Sequence, residues 1–252
     1  QRDRLGNTIE RTYNAANKVE TETTYTVPDA DGLDSGFVGT TNLPSGALQT
    51  RYVYDSANPA MLRFVINPAN EVTEYQYFAS GTAVTQLSST RRFTGGIFTT
   101  TTGLPTLAQM TDFVAHQAAG SIVRSDVSYD AQGRVTQTVD YATVDGSGNG
   151  VLDAGAAITN FTYDAHGLLC QTISVYGANR SLSVVGTGSA VTDYVYDGMG
   201  RLLSAISRDV GTASNDDANT VTTTYAYVDS ANQLKVTLDS GGAVLGDVGG
   251  EV

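Results

Sequence analysis

The chain has 252 residues, a net charge of −12 and only 16% charged side chains, against roughly 25% in an average soluble domain. Phosphate backbones and anionic membrane surfaces would be repelled by that balance, so neither nucleic-acid binding nor membrane insertion is expected. No apolar run approaches the roughly 18 to 20 residues of a membrane helix, and the single cysteine, Cys170, excludes an internal disulfide.

In chain order, the opening QRDRLGNTIE has no signal-peptide pattern, so any targeting is expected to lie outside this segment or to have been removed. Residues 1–78 carry turn signals at Asp3/Gly6, Asn14/Asn17, Asp55/Asn58 and Asn67/Asn70, with an acidic insertion at 27–46. Residues 79–125 are the least regular part and read as a packed insertion. Within it Pro105, Leu107, Met110, Phe113 and Val114, ahead of Gly120, predict a short helix over about 106–119. Arg91 and Arg92 read as surface charges pairing with the chain's own acids. Residues 126–252 return to the pattern with Asp130/Gly133, Asp164/Gly167, Asp197/Gly200, Asp229/Asn232 and Asp239/Gly242.

These turns belong to an internal repeat. VSYDAQGRVTQTVD, FTYDAHGLLCQTIS and YVYDGMGRLLSAIS align, followed by the more divergent YAYVDSANQLKVTL. Their tyrosines are Tyr129, Tyr163, Tyr196 and Tyr227, spaced by 34, 33 and 31 residues. An Asp or Asn followed three positions later by Gly or Asn is the chemistry of a tight turn. The first side chain bonds nearby backbone, and the last residue tolerates left-handed φ. The flanking β-branched and aromatic stretches, such as 135–139, read as hairpin strands. A type I turn closed by a left-handed residue adds a bulge and twist. The expectation is an all-β fold: antiparallel β-hairpin repeats in a long curled meander sheet. Consecutive connections of a meander lie on opposite edges, so the long ones around 27–46, 142–157, 176–190 and 209–220 should share one edge.

The sharpest candidate for chemistry is DGSGNGVLD. Asp145, Ser147 and Asn149 alternate as oxygen ligands before Gly150, the Val151 carbonyl would add a ligand, and Asp153 follows. That resembles the start of an EF-hand-like calcium loop, with Ala156 where the closing acid belongs. The alternative is an ordinary exposed β-connection, which uses the same residue types. Asp29, Asp31, Gly32 and Asp34 form a similar loop with poorer spacing, and Asp216 and Asp217 a weaker one. Catalytic patterns are lacking. His116 and His166 have no metal-ligand spacing, residues 186–191 lack a phosphate-loop lysine, and no serine sits in a nucleophile elbow. Cys170 reads as a small buried group on a strand. The tyrosines preceding the turns read as a stacked ladder along one face, with a sugar platform as the alternative.

The strings YDAQGRV, YDAHGLL and YDGMGRL resemble the YD repeats of bacterial Rhs proteins, of the B and C components of Tc toxin complexes and of teneurins. The pattern is fullest at Tyr129, Asp130, Gly133, Arg134 and at Tyr196, Asp197, Gly200, Arg201. At Tyr163, Asp164 and Gly167 the arginine position is Leu168. The resemblance implies a β-shell built from hairpins, which in toxin members encloses a toxic domain. It makes this chain a non-catalytic shell segment of a larger secreted or cell-surface protein. Its partners would be further YD repeats at the sheet edges and an enclosed effector. The acidic loops support an alternative, a calcium-stabilised adhesion or carbohydrate-binding module. Open sheet edges support another, a self-assembling extracellular polymer.

Overall fold

The computed structural model describes residues 8–27, 47–81, 85–99, 103–175, 189–209, 220–228, 233–240 and 243–251. The turns at Asp3/Gly6 and Asp229/Asn232, the residues Gly242, Asp29, Asp31, Gly32, Asp34, Asp216 and Asp217, and residues 186–188 lie outside these. The chain divides into two compact units. One comprises residues 1–124 with 144–149, and the other 125–143 with 150–252.

The first unit contains β1 (Thr8–Tyr13), β2 (Val19–Tyr25), β3 (Leu48–Tyr54), β4 (Leu62–Ile66), β5 (Val72–Tyr77), β6 (Leu87–Phe93), α1 (Leu107–Ala115) and the start of β7 (Ile122–Tyr129). From β1 to β6 each strand pairs antiparallel with the next. Two neighbouring rows cross this ladder on one face: Arg51, Ile66, Val72 and Phe93, then Val53, Phe64, Glu74 and Arg91. Because side chains alternate faces with period two, those rows collect the apolar residues of four strands. α1 covers them. Met110 is fully buried, Leu107 and Val114 pack alongside, and Phe113 meets Phe93 and Phe98 edge-on at 6.0 and 5.6 Å.

The helix is shorter than 106–119. It starts as expected, because Thr106 and Gln109 form a reciprocal capping box, with Gln109 N–H donating to Thr106 Oγ1 at 3.2 Å and Thr106 N–H to Gln109 Oε1 at 2.8 Å. It ends at Ala115, with His116 as its cap. Ala118 is already extended (φ −71°, ψ 140°), and Gly120 falls in a separate 3-10 turn, Ala119–Ser121. The segment 79–125 therefore does two things. Its first part, β6, continues the hairpin ladder, and its remainder lays the helix over the sheet face.

The second unit holds the rest of β7, β8 (Val135–Tyr141), β11 (Ala157–Tyr163), β12 (Leu169–Val175), β13 (Ser189–Tyr196), β14 (Leu202–Asp209), β15 (Thr220–Val228), β16 (Gln233–Ser240) and β17 (Ala243–Glu251). From β8 onward these again pair in chain order. The short β9 (Thr143–Val144) and β10 (Gly150–Val151) pair only with each other. Val139, Ile158, Val175 and Ser189 form one buried row, so the apolar stripe is one or two residues wide. The described strands thus form an antiparallel meander of hairpins with one helix, as the alternation of strand and turn chemistry predicts.

Candidate functional site

The recurring structural feature is the Asp-x-x-Gly turn, and its hydrogen bonds explain each residue of the motif. At Asp197, Oδ1 accepts the N–H groups of Met199 (2.8 Å) and Arg201 (2.9 Å). Gly200 N–H donates to the Asp197 carbonyl at 3.0 Å, and Asp197 N–H donates to the Arg201 carbonyl at 2.9 Å. Gly200 has φ +80°, which a Cβ would strain. The arginine then closes the unit, its Nε donating to Asp197 Oδ2 at 2.7 Å. The same set recurs at Asp130, Gln132, Gly133 and Arg134, with Nε to Oδ2 again 2.7 Å. At Asp164 the backbone set is complete, but Leu168 supplies no guanidinium. Asn14 performs the same backbone capping with an amide oxygen, Asn67 Oδ1 accepts the Glu71 N–H, and Asn17 and Asn70 take the left-handed position at φ 57° and 63°. The Asp55 connection is longer. Asp55 Oδ1 accepts from Ala57 and Asn58, and its backbone N–H reaches Met61.

These bonds hold the turn carboxyls below the usual aspartate range. At Asp197, Asp164 and Asp145 the largest cause is the backbone N–H of Arg201, Leu168 and Asn149 respectively. At Asp130 desolvation is the largest single influence and pushes upward, but the N–H and guanidinium of Arg134 and the N–H of Gln132 together outweigh it.

At four of the connections the tyrosine at the end of the incoming strand joins one hairpin to another. Tyr54 Oη donates to the carbonyl of Val19 (2.8 Å), Tyr77 to Leu62 (2.7 Å), Tyr163 to Val135 (2.9 Å) and Tyr196 to Leu169 (2.8 Å). Each acceptor is the first residue of the strand that follows the preceding turn. Each of these tyrosines also sits at a register shift, leaving one extra residue on its return strand, Arg63, Ser88, Cys170 and Leu203 respectively, as Tyr13 leaves Glu20 in the first hairpin. The arginines reach across in the same direction. Arg134 lies over the Tyr163 ring at 4.5 Å and Arg201 over the Tyr227 ring at 4.7 Å. Tyrosine hydroxyl, arginine and aspartate thus make a clamp from hairpin to hairpin. The sequence predicted a tyrosine ladder, but a hydroxyl bonded to a carbonyl 28 residues away leaves no local signal.

The calcium candidates separate into two places. Asp145 heads another turn of the same kind. Its Oδ1 accepts from Ser147 N–H and Asn149 N–H at 2.8 Å each, its Oδ2 from Asn149 Nδ2 at 3.2 Å, and Gly148 closes it at φ +78°. The alternation of oxygen residues is therefore also the pattern of this repeat turn, Asp145-x-x-Gly148, which the sequence reading passed over. Asp153 belongs to the next bend, where it accepts from Thr143 Oγ1 and from Gly155 N–H. Val151 lies in β10 between them. Among the described residues no three His, Cys, Asp or Glu side chains cluster as metal ligands.

Of the remaining candidates, Arg91 does pair with an acid of the chain, but inside it. Glu74 accepts from Arg91 at 2.5 and 2.7 Å, with side chains 5% and 11% exposed. Arg92 is exposed. His116 stands at the helix end beside Asp112 and His166 at a turn tip beside Asp164, both largely exposed. Cys170 is the half-buried bulge residue of β12, its thiol donating to the Thr162 carbonyl at 3.3 Å.

No family model matches the chain, and no curated protein matches it. Among solved structures it is similar to a chain in a crystal structure of TcdB2-TccC3-Cdc42, at 16% identity and a TM-score of 0.43. The match covers 94% of this chain and 11% of that one, so this chain spans about a tenth of the length of that relative.

Proposed function

We propose that this chain is a non-catalytic wall segment of a larger secreted or cell-surface YD-repeat protein. Its partners are further repeats added along the sheet edges, and its role is to enclose or present a toxin or effector domain. The observation that supports this most is that the side chains of the motif are engaged with one another. At Tyr196-Asp197-Gly200-Arg201 the hydroxyl, carboxylate and guanidinium all bond within the repeat or to its neighbour. A motif whose functional groups hold hairpin to hairpin builds extended surface. Like other repeat architectures, it gains stability from each nearest-neighbour interface.

The test uses the intact polypeptide that carries this chain. Limited proteolysis under native conditions is expected to spare a segment outside the repeats until denaturant opens them. Digestion of that segment at the rate of the isolated domain overturns the reading.

A further inference from the structure

The turn at Asp145–Gly148 has the same internal bonds as the turn at Asp197–Gly200, yet its glycine has different surroundings. Gly133, Gly167 and Gly200 are exposed at their tips, whereas Gly148 is buried. Residues 144–149 belong to the first unit, and three contacts there explain the burial. Val144 packs against the buried cluster that includes Phe93 and Ile122. Arg124 Nη1 donates to the Gly148 carbonyl at 2.8 Å. A Cβ placed on Gly148 would stand 2.6 Å from Arg91 Nη1 and 3.7 Å from Ile122 Cδ1. The space a side chain would take is filled by the guanidinium of the buried Glu74–Arg91 pair.

We propose that residues 144–149 form a strap that seals the Glu74–Arg91 ion pair inside the first unit, and that the pair becomes accessible to solvent when the strap lifts. The chemistry is consistent throughout. Two charges taken out of water need a geometry that keeps them paired and covered. The Asp145 cap closes the β9–β10 hairpin and makes its tip rigid enough to serve as that cover. The strap does not depend on the wall reading, because every contact it uses lies within one unit.

The test compares Gly148→Ala with Gly200→Ala. Both add a Cβ at nearly the same φ, +78° and +80°, but at Gly200 the nearest atom, Leu168 Cδ1, is 3.8 Å away. Arginine accessibility is read by dicarbonyl labelling and mass spectrometry, with the buried Arg51 as internal control for wider unfolding. In Gly148→Ala, Arg91 is expected to label about tenfold faster than in the parent while Arg51 stays protected, as local opening requires. Gly200→Ala should leave both unchanged. If Gly148→Ala unfolds and exposes Arg51 as well, Arg124→Gln, which withdraws the guanidinium from the Gly148 carbonyl and from the neighbourhood of Asp145 without adding a Cβ to the tip, provides the same reading. Arg91 as protected as in the parent in the folded variant overturns the proposal.

Discussion

Each residue of the Tyr-Asp-x-x-Gly-Arg motif has an assigned partner, so each can be removed separately. Tyr196→Phe keeps the ring but leaves the Leu169 carbonyl without its donor. The loss expected in chemical denaturation is about 1 kcal/mol, the usual net worth of one hydrogen bond. No loss would mean that water replaces the hydroxyl freely. The converse change is Leu168→Arg. The Leu168 side chain already points toward the next turn, 3.8 Å from the Cβ position of Gly200. An arginine there can bond Asp164 and lie over Tyr196 as Arg134 lies over Tyr163, which should raise stability by about 0.5–1 kcal/mol. A destabilised variant would show that the clamp is not transferable between copies. Calcium is testable at Asp145. Its carboxylate already accepts three N–H groups, so millimolar calcium or chelator should leave the melting temperature unchanged, and an upward shift of several degrees with calcium would establish a cation loop.

The hairpins were legible in the sequence because their turns are local chemistry: an Asp and a Gly three residues apart determine the bonds whatever the rest of the chain does. The start of α1 was legible for the same reason, through Pro105 and the residues after it. Its end was not, since His116 is a cap without a glycine's signature. The hairpin between Tyr77 and Leu87 was missed because no Asp heads it: Gly81 and Thr85 are left-handed at φ 88° and 71°, without an Asp three residues before either. The core of the first unit was legible only in part. Met110 and Phe113 announced a helix face, but nothing local says that it lands on Phe64, Val72 and Phe93. That landing makes α1 the element most sensitive to truncation. Met110→Ala removes a fully buried side chain, with an expected cost of about 2–5 kcal/mol in chemical denaturation. Thr106→Ala, which removes the hydroxyl of the capping box, should cost about 1 kcal/mol. Equal effects of the two would argue that the helix barely contributes to the core.

Across the whole chain the same capped carboxylate recurs, so its response to pH should add up from copy to copy. Asp130, Asp145, Asp164 and Asp197 all titrate below the ordinary value of 3.8 in the folded state. A depressed folded pKa gives stability that is complete above the unfolded value, about 3.9, and is lost as pH falls through the folded one. Melting temperature should therefore hold from neutral pH down to about 5 and drop steeply below about 4. Tyr25 works at the other end. Burial and the hydroxyl bond to Glu10 raise its pKa to about 12, so the stability it contributes is present below the unfolded value near 10 and is lost between there and 12. The acid limb has an internal control, because Asn14 Oδ1 already accepts the Ala16 and Lys18 N–H groups at 2.9 Å each without a titrating oxygen. Replacing Asp130, Asp164 and Asp197 by Asn should keep the turns intact at neutral pH and flatten the decline below pH 4. If the triple variant declines as steeply as the parent, the acid response originates elsewhere among the carboxylates, and the repeated turn is not what sets it.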